Sequence, residues 1–502
     1  MPGKVIMLQG TASSVGKSLL CTALCRILHQ DGLRVAPFKA QNMSNNSFVT
    51  PDGLEFGRAQ AAQAESAGIE PSVEMNPVLF KPEADHRSQV VVMGRPRGVV
   101  GGADFISIKR DLWPVVTDAL DRLRKQYEVI VIEGAGSPAE INLKAGDIVN
   151  MRVARYAQAP VLLAGDIDRG GVFAHLVGTL QLLEPEERAL VRALVINKFR
   201  GTPSLLKPGV DWLTEYTGLP VAGVVGWLAD VGVADEDAVV LEQRSRIGVA
   251  KTFDIAVVQF PRIANFDDLD ALASEPDVGL RYITIGGEVA DADLLILPGT
   301  KSTMADLGWL RATGIADEVV RHAAAGGAII GVCGGYQMLG ERLLDPEGVE
   351  SSIAEVQGLG LLPVVTIFEA IKATHRAIAR VSAAHGLLNG LESAELAGYE
   401  IHMGRTAGAR PALRVLSRSG ESCDAGDGAI DASGAVFGTY LHGIFDNDAF
   451  RRSVLGWLAQ RRGIERDSSG VSWSREQAYD RLANHVRSAL DMSLIYRLLD
   501  QL

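Results

Sequence analysis

Phosphate chemistry is suggested first by Gly10-Thr11-Ala12-Ser13-Ser14-Val15-Gly16-Lys17-Ser18, which follows the apolar run VIMLQG and opens a segment of helical patterning. Glycines let backbone N–H groups turn toward phosphate oxygens, and the start of a helix adds partial positive charge. Gly10, Thr11 and Gly16 would shape that cradle. Lys17 would offset phosphate charge, and the Ser18 hydroxyl would ligate Mg2+. Five residues separate Gly10 from Gly16, one more than in the usual phosphate-binding loop. Glu133 ends the run EVIVIE and is a second candidate metal ligand. A carboxylate at the carboxyl end of a parallel strand lies where α/β sheets hold their ligands.

Thiol chemistry is suggested by Gly331-Val332-Cys333-Gly334-Gly335-Tyr336-Gln337, where an apolar strand runs through a glycine-flanked turn into a helix. This is a nucleophile elbow with cysteine in the place of serine. The following helix favours thiolate, the reactive form. The base must come from elsewhere in the chain, and His442, ending the apolar run before Gly443, is the candidate. Glu400 and His402, in Gly398-Tyr399-Glu400-Ile401-His402-Met403-Gly404, form a polar cluster worth retaining. Cys21 and Cys25 have helical spacing without a second ligand pair and read as packing residues, and Cys423 reads as incidental. Further polar groups close other strands: Gln41 and Asn42 after Lys39, Asn142 in SPAEIN, Asp147, and the run Asp166–Gly171. Spacing alone does not separate catalytic groups from loop caps at these positions.

The elements that must position these groups are short Val/Ile/Leu runs alternating with helical segments. In the first half these runs are 5–10, 34–40, 128–136, 160–168, 193–199 and 219–226. In the second they are 253–261, 280–286, 293–302, 327–337 and 434–445. Continuous apolar runs suit strands buried on both faces, so the fold class is α/β with parallel sheets. The acidic stretch near 228–250 breaks the rhythm, giving domains at 1–228 and 251–450, a linker at 229–250 and a helical extension at 451–502. Residues 408–433, rich in Gly, Ala, Ser and Asp, read as irregular.

Composition narrows the function. The chain has 502 residues, enough for several cores, and 49 basic against 61 acidic residues give a net charge of −12. Without a basic stripe the chain is not expected to bind nucleic acid. Four cysteines are too few for a disulfide framework. No apolar run has the length of a membrane span, and the N-terminus is not a signal peptide, so a cytoplasmic enzyme with no membrane partner is expected.

GVCGGYQ resembles the G-x-C-x-G-x-Q elbow of class I glutamine amidotransferases, and the N-terminal loop is similar to that of dethiobiotin synthetase, with the same five-residue spacing. The two in this order resemble the cobyrinate amidotransferases of cobalamin biosynthesis. QGTASSVGKS, FKAQNMSNNS, EGAGSPAEINL, GDIDRGGVFA, NKFRG and GYEIHMGRT are similar to the cobyric acid synthase branch, over about residues 4 to 450. The resemblance implies a P-loop-like, dethiobiotin-synthetase-like parallel-sheet domain followed by a class I amidotransferase domain. It implies that glutamine is hydrolysed at Cys333 and that ATP, with Mg2+, activates carboxylates of a corrinoid substrate. Ammonia would then amidate the b, d, e and g side chains of adenosylcobyrinic acid a,c-diamide. Gln41, Asn42, Asn142, Asp147, Glu400 and His402 become candidates for substrate binding or acyl transfer, and the N–H groups of Gly299 and Gly334 become oxyanion donors.

Two departures stand out. Ordinary class I amidotransferases follow the base with H-P-E, whereas this chain reads His442-Gly443-Ile444-Phe445-Asp446, which leaves the group that orients His442 open, with Asp446 and Glu400 as candidates. A second metal carboxylate is sought in Glu55-Phe56-Gly57-Arg58-Ala59-Gln60 without a clear match. Rival readings are the sister a,c-diamide synthase, a partition-type P-loop ATPase with a regulatory amidotransferase domain, and a CTP-synthase-like enzyme. SPAEINL and NKFRG disfavour the first, an intact Cys333 and His442 the second, and the missing H-P-E the third.

Overall fold

A computed structural model describes residues 2–84, 87–101, 105–228, 232–233, 251–286, 288–289, 292–466 and 473–501. The expected linker at 229–250 lies outside these, apart from 232–233. The chain forms two compact units. One comprises Met1–Ser44, Phe56–Glu236 and Ser474–Leu502, and the other Asn45–Glu55 and Asp237–Trp473.

The first unit is built on six parallel strands in the order Val221–Gly226, Val191–Phe199, Val161–Asp166, Lys4–Gly10, Val129–Glu133 and Val35–Phe38. Successive residues of the central strand enter different cores. Val5 and Met7 pack on one face, Ile6 and Leu8 on the other. A strand covered on both sides has no solvent face, hence the unbroken apolar runs. Lys4–Gly10 and Val129–Glu133 pair in register, Leu8 beside Glu133, so the phosphate loop and the carboxylate leave the same sheet edge. The helix Lys17–Gln30 follows the loop directly.

In the second unit, Val278–Ile283, Phe253–Val258, Leu294–Leu297, Ala328–Val332 and Val436–Thr439 lie parallel, with Ala429–Ile430 antiparallel at the edge. Ala328–Val332 and Val436–Thr439 are neighbours, which brings together the residues that follow them, Cys333 and His442. A second, largely antiparallel sheet contains Val365–Val381 and Glu395–Ala407, Leu413–Arg418 and Glu421–Asp427. Residues 408–433 are therefore corrected from irregular to mostly strand. Alternate burial along Leu413–Arg418 marks a half-covered sheet, whose polar face hides the strand signal.

The helical extension expected at 451–502 is divided. Asp448–Arg462 belongs to the amidotransferase unit, while Arg475–Ala489 and Met492–Asp500 belong to the first. No helix among the described residues is long and apolar enough to cross a membrane.

Candidate active site

The phosphate loop is shaped by conformations its sequence permits. Gly16 has φ +95°, and a Cβ there would lie 2.2 Å from Asn197 Nδ2. Asn197 Nδ2 donates to Val15 O at 2.8 Å, and Thr11 N–H donates to Ala164 O at 2.9 Å. Lys17 Nζ, buried, donates to Ala12 O at 2.9 Å and Gly136 O at 3.1 Å, carbonyls of the loop and of the facing Gly-Ala-Gly turn. Ser18 Oγ donates to Glu133 Oε1 at 2.7 Å. Glu133 also receives Lys39 Nζ at 2.9 Å, Gln63 Nε2 at 2.6 Å and Gln60 Nε2 at 3.4 Å. The donors let a carboxylate with 1% exposure remain in place.

The search for a second carboxylate at 55–60 is corrected. Glu55 belongs to the other unit, where it pairs with Lys372 at 2.5 Å. Amides of Gln60 and Gln63 face Glu133 instead. Both lie on the helix Arg58–Ser66, and their i,i+3 spacing in the sequence is the signal that would have found them. Gln41 is buried with its Oε1 lacking a hydrogen-bond partner, as is Gln63 Oε1. Asn42 Nδ2 donates to Gln60 Oε1 at 3.1 Å. Asn142 is exposed in a turn. Asp147 acts as a cap, its Oδ1 accepting from Val149 and Asn150 N–H and its Oδ2 from Arg152 N–H, at 2.8, 2.9 and 3.2 Å.

The thiol sits on a strained turn. Cys333 has φ 52° and ψ −108°, a conformation that costs a non-glycine residue about 1–3 kcal/mol. The elbow closes only because Gly335 lacks a side chain: a Cβ would lie 1.9 Å from Leu297 O. Cys333 Sγ lies 3.5 Å from Ile401 O. His442 lies beside Cys333, both flanking Gly299, and its Nδ1 is 2.6 Å from Asp268 Oδ2. Asp268 Oδ1 accepts the Gly443 N–H at 2.8 Å, which fixes the carboxylate in the plane it needs. Burial would lower the imidazole pKa, but the neighbouring Asp268 charge, with Cys333 adding to it, outweighs burial and raises the pKa to about 10.

Asp268 corrects the expectation that Asp446 or Glu400 orients the base. Glu400 is committed elsewhere, its two oxygens held by Arg418 at 2.7 and 2.9 Å. Asp446 lies in the turn after His442, and the Nδ1 position is filled by Asp268. Asp268 comes from the short turn Phe266–Leu269, 174 residues earlier in the chain, where no motif marks it. Gly299 lies beside the pair: a Cβ there would be 3.0 Å from His442 Cε1 and 3.8 Å from Cys333 Cβ. Gly334 begins the helix after the thiol, 3.1 Å from Thr300 N by the same measure. His402 stacks on Tyr440 with ring centres 3.7 Å apart. Burial lowers its pKa to about 4, so it is neutral, with Nδ1 bound to Gly404 O at 2.7 Å. Gln337 is held between Thr303 at 2.9 Å and Tyr440 at 3.1 Å.

Residues 6–239 match the family model described as the CobQ/CobB/MinD/ParA nucleotide binding domain. Residues 254–450 match the CobB/CobQ-like glutamine amidotransferase domain. The cobyric acid synthase of Sorangium cellulosum (strain So ce56) is 55% identical, covering 99% of this chain and 99% of its own. That of Chloroflexus aurantiacus (strain ATCC 29366 / DSM 635 / J-10-fl) is 52% identical over 99% of this chain and 100% of its own. That of Dehalococcoides mccartyi (strain ATCC BAA-2266 / KCTC 15142 / 195) is 50% identical over 99% and 98%. Alignment along nearly the whole length at half identity, with a nucleotide-binding domain before an amidotransferase domain, means that the chain belongs to the cobyric acid synthase family.

Proposed function

We propose that the chain amidates the b, d, e and g carboxylates of adenosylcobyrinic acid a,c-diamide, using ATP with Mg2+ and glutamine, in the cytoplasm. The observation that carries the glutamine half is the Cys333–His442–Asp268 row, with Gly299 beside it. The Cys333 thiolate attacks the side-chain carbonyl carbon of glutamine. N–H groups of Gly299 and Gly334 receive the developing oxyanion. The carbon–nitrogen bond breaks, and the His442 imidazolium gives its proton to the departing ammonia. Neutral His442 then takes a proton from water as it attacks the thioester, releasing glutamate and restoring the thiolate.

In the nucleotide-binding unit the carboxylate of the acceptor attacks the γ-phosphorus of ATP, and ADP leaves. Ammonia displaces phosphate from the acyl phosphate, and one proton is lost. Lys17 and the loop N–H groups hold the phosphates, and Lys39 adds positive charge on the Glu133 side. Ser18, Glu133 and the amide oxygen of Gln63 offer hard oxygen donors suited to Mg2+, which would neutralise phosphate charge when bound. Gln41, Asn42 and Asp147 are proposed to face the acceptor.

The test incubates the full chain with ATP, Mg2+, glutamine and each corrinoid, counting amidations by mass spectrometry. Four amidations of the a,c-diamide are expected. Inactivity on it together with amidation of cobyrinic acid would transfer the assignment to the sister reaction.

A further inference from the structure

Residues 45–55 belong by sequence to the nucleotide-binding half and by packing to the amidotransferase unit. Within that unit they touch the supports of the catalytic row. Asn46 Oδ1 accepts the backbone N–H of Asn265 at 2.7 Å, and the Ser47 N–H donates to Asn265 Oδ1 at 3.0 Å. Asn265 is thereby held at φ 53°, in the left-handed region, and opens the turn that carries Asp268. The Asp268 N–H donates to Asn265 O at 3.1 Å. Asn265 Nδ2 donates to the Tyr399 hydroxyl at 3.3 Å. The Tyr399 ring stacks on His442, with centres 5.2 Å apart and planes 16° off parallel, and Phe48 meets it edge-on at 4.9 Å. Asn46, Ser47 and Phe48 thus brace both neighbours of the base: the carboxylate on its Nδ1 and the ring on its face. Farther along, Val49 O accepts from Arg376 Nε at 3.1 Å and Gly53 O from Thr374 Oγ1 at 2.7 Å, and the buried Glu55–Lys372 pair anchors the end.

Both ends of this segment continue into the residues around Glu133. Lys39 and Asn42 precede it, while Gln60 and Gln63 follow it. Lys39, Gln60 and Gln63 all donate to Glu133, and Asn42 donates to Gln60. A cation arriving at Ser18 and Glu133 competes with these donors for the carboxylate oxygens, and whatever it moves is joined by peptide bonds to the segment. We propose that residues 45–55 are a strap by which the nucleotide-binding unit sets the geometry of the Cys333–His442–Asp268 row, with Asn46 and Phe48 as positioning residues. Only the identity of the nucleotide rests on the function proposed above. A misplacement of the base by a fraction of an ångström is enough to alter turnover while leaving glutamine binding alone.

The experiment measures glutamate release by the full-length protein with and without magnesium and adenylyl imidodiphosphate, alongside thermal melting and ammonia-driven amidation. Wild type is expected to change its glutaminase kcat severalfold on adding the nucleotide. Asn46→Ala is expected to lower that kcat about tenfold, the effect of one lost orienting hydrogen bond, with the glutamine KM unchanged and the nucleotide response gone. Asn46→Asp keeps the acceptor oxygen and is expected to restore both. Phe48→Leu keeps the bulk, guards against a misfolded Asn46→Ala, and is expected to lose the nucleotide response while retaining the wild-type melting temperature. Ammonia-driven amidation stays within about twofold of wild type in each variant, since it bypasses the row. A wild-type rate indifferent to nucleotide overturns the strap, as do Asn46→Ala and Phe48→Leu proteins with wild-type kcat and response. Wild type unable to use ammonia overturns the proposed acceptor instead, and glutamate release still decides the strap.

Discussion

Cys333 is assigned a single step, the attack on the glutamine amide. Cys333→Ser places a weak nucleophile on the same elbow, so glutamine-driven amidation should fall by at least about a thousandfold. Ammonium chloride at raised pH enters after that step and should restore amidation to near the wild-type ammonia rate. His442→Ala should behave alike. Rates with glutamine and with ammonia, for all three proteins, are the measurement; failure of ammonia to rescue folded Cys333→Ser would refute the division into two sites. Asp268 sets a second prediction. It raises the His442 pKa to about 10 against the opposing effect of burial. The imidazolium is needed to protonate ammonia, so the alkaline limb of glutaminase kcat/KM should lie near pH 10 in wild type. In Asp268→Asn it should move toward neutrality. The stability contributed by this raised pKa is full below pH 6.5 and is lost as pH climbs through about 10. Wild type should therefore melt lower across that interval than Asp268→Asn does relative to its own neutral value. An unmoved alkaline limb in Asp268→Asn would detach the carboxylate from the base.

At the scale of elements, Asp147 separates two roles. Its carboxylate accepts three backbone N–H groups around the start of the helix Met151–Ala157. Asn caps nearly as well, so Asp147→Asn should lose no more than about 1 kcal/mol of stability in a denaturant melt. The same variant should slow amidation, because it removes the charge proposed to face the acceptor; unchanged amidation kinetics would leave capping as the whole role. The elements themselves were legible where burial is two-sided. All the apolar runs read from the sequence contain strands, most of them parallel strands covered on both faces, which leaves continuous Val and Ile. The elbow was legible for a local reason: Gly331, Cys333 and Gly335 lie within one turn. Asp268 was not, since it comes from a short turn 174 residues before His442 and reaches it only through the tertiary fold. Val365–Val381 was missed because exposed residues interrupt its burial and a register shift breaks its alternation. Gln60 and Gln63 carry no acidic signal, because the fold sets neutral amides against Glu133 where a metal site would be read from acids.

On the scale of the whole molecule, the order of the chain is not the order of its packing. Residues after Trp473 return to the first unit after the second has been completed. The helix Arg475–Ala489 lies against Lys17–Gln30, the helix that follows the phosphate loop. Arg26 pairs with Asp480 and Glu476, each at 2.8 Å, and the Tyr479 hydroxyl donates to Glu65 at 2.6 Å. The Asp491 N–H donates to Ala222 O at 2.7 Å, at the edge of the parallel sheet. Tyr479, Leu482, Val486, Leu490, Ile495, Leu498 and Leu499 complete the core that holds Ile6 and Leu8. At about 1.5–3 kcal/mol for each large apolar side chain, their loss approaches or exceeds the ~5–15 kcal/mol that stabilises a whole domain. Weak surface ion pairs alter this little. Truncation after Trp473 should therefore unfold the nucleotide-binding unit. Amidation with either glutamine or ammonia should vanish, nucleotide should no longer raise the melting temperature, and basal glutaminase should persist because Cys333, His442 and Asp268 lie in the other unit. Leu482→Ala in the full chain is the graded version, expected to cost about 2–5 kcal/mol. Calorimetry should resolve that loss as a lowered first transition with the amidotransferase transition in place. A truncated protein that still amidates with ammonia would show the tail to be an accessory, and equal lowering of both transitions would show that the two units do not melt separately.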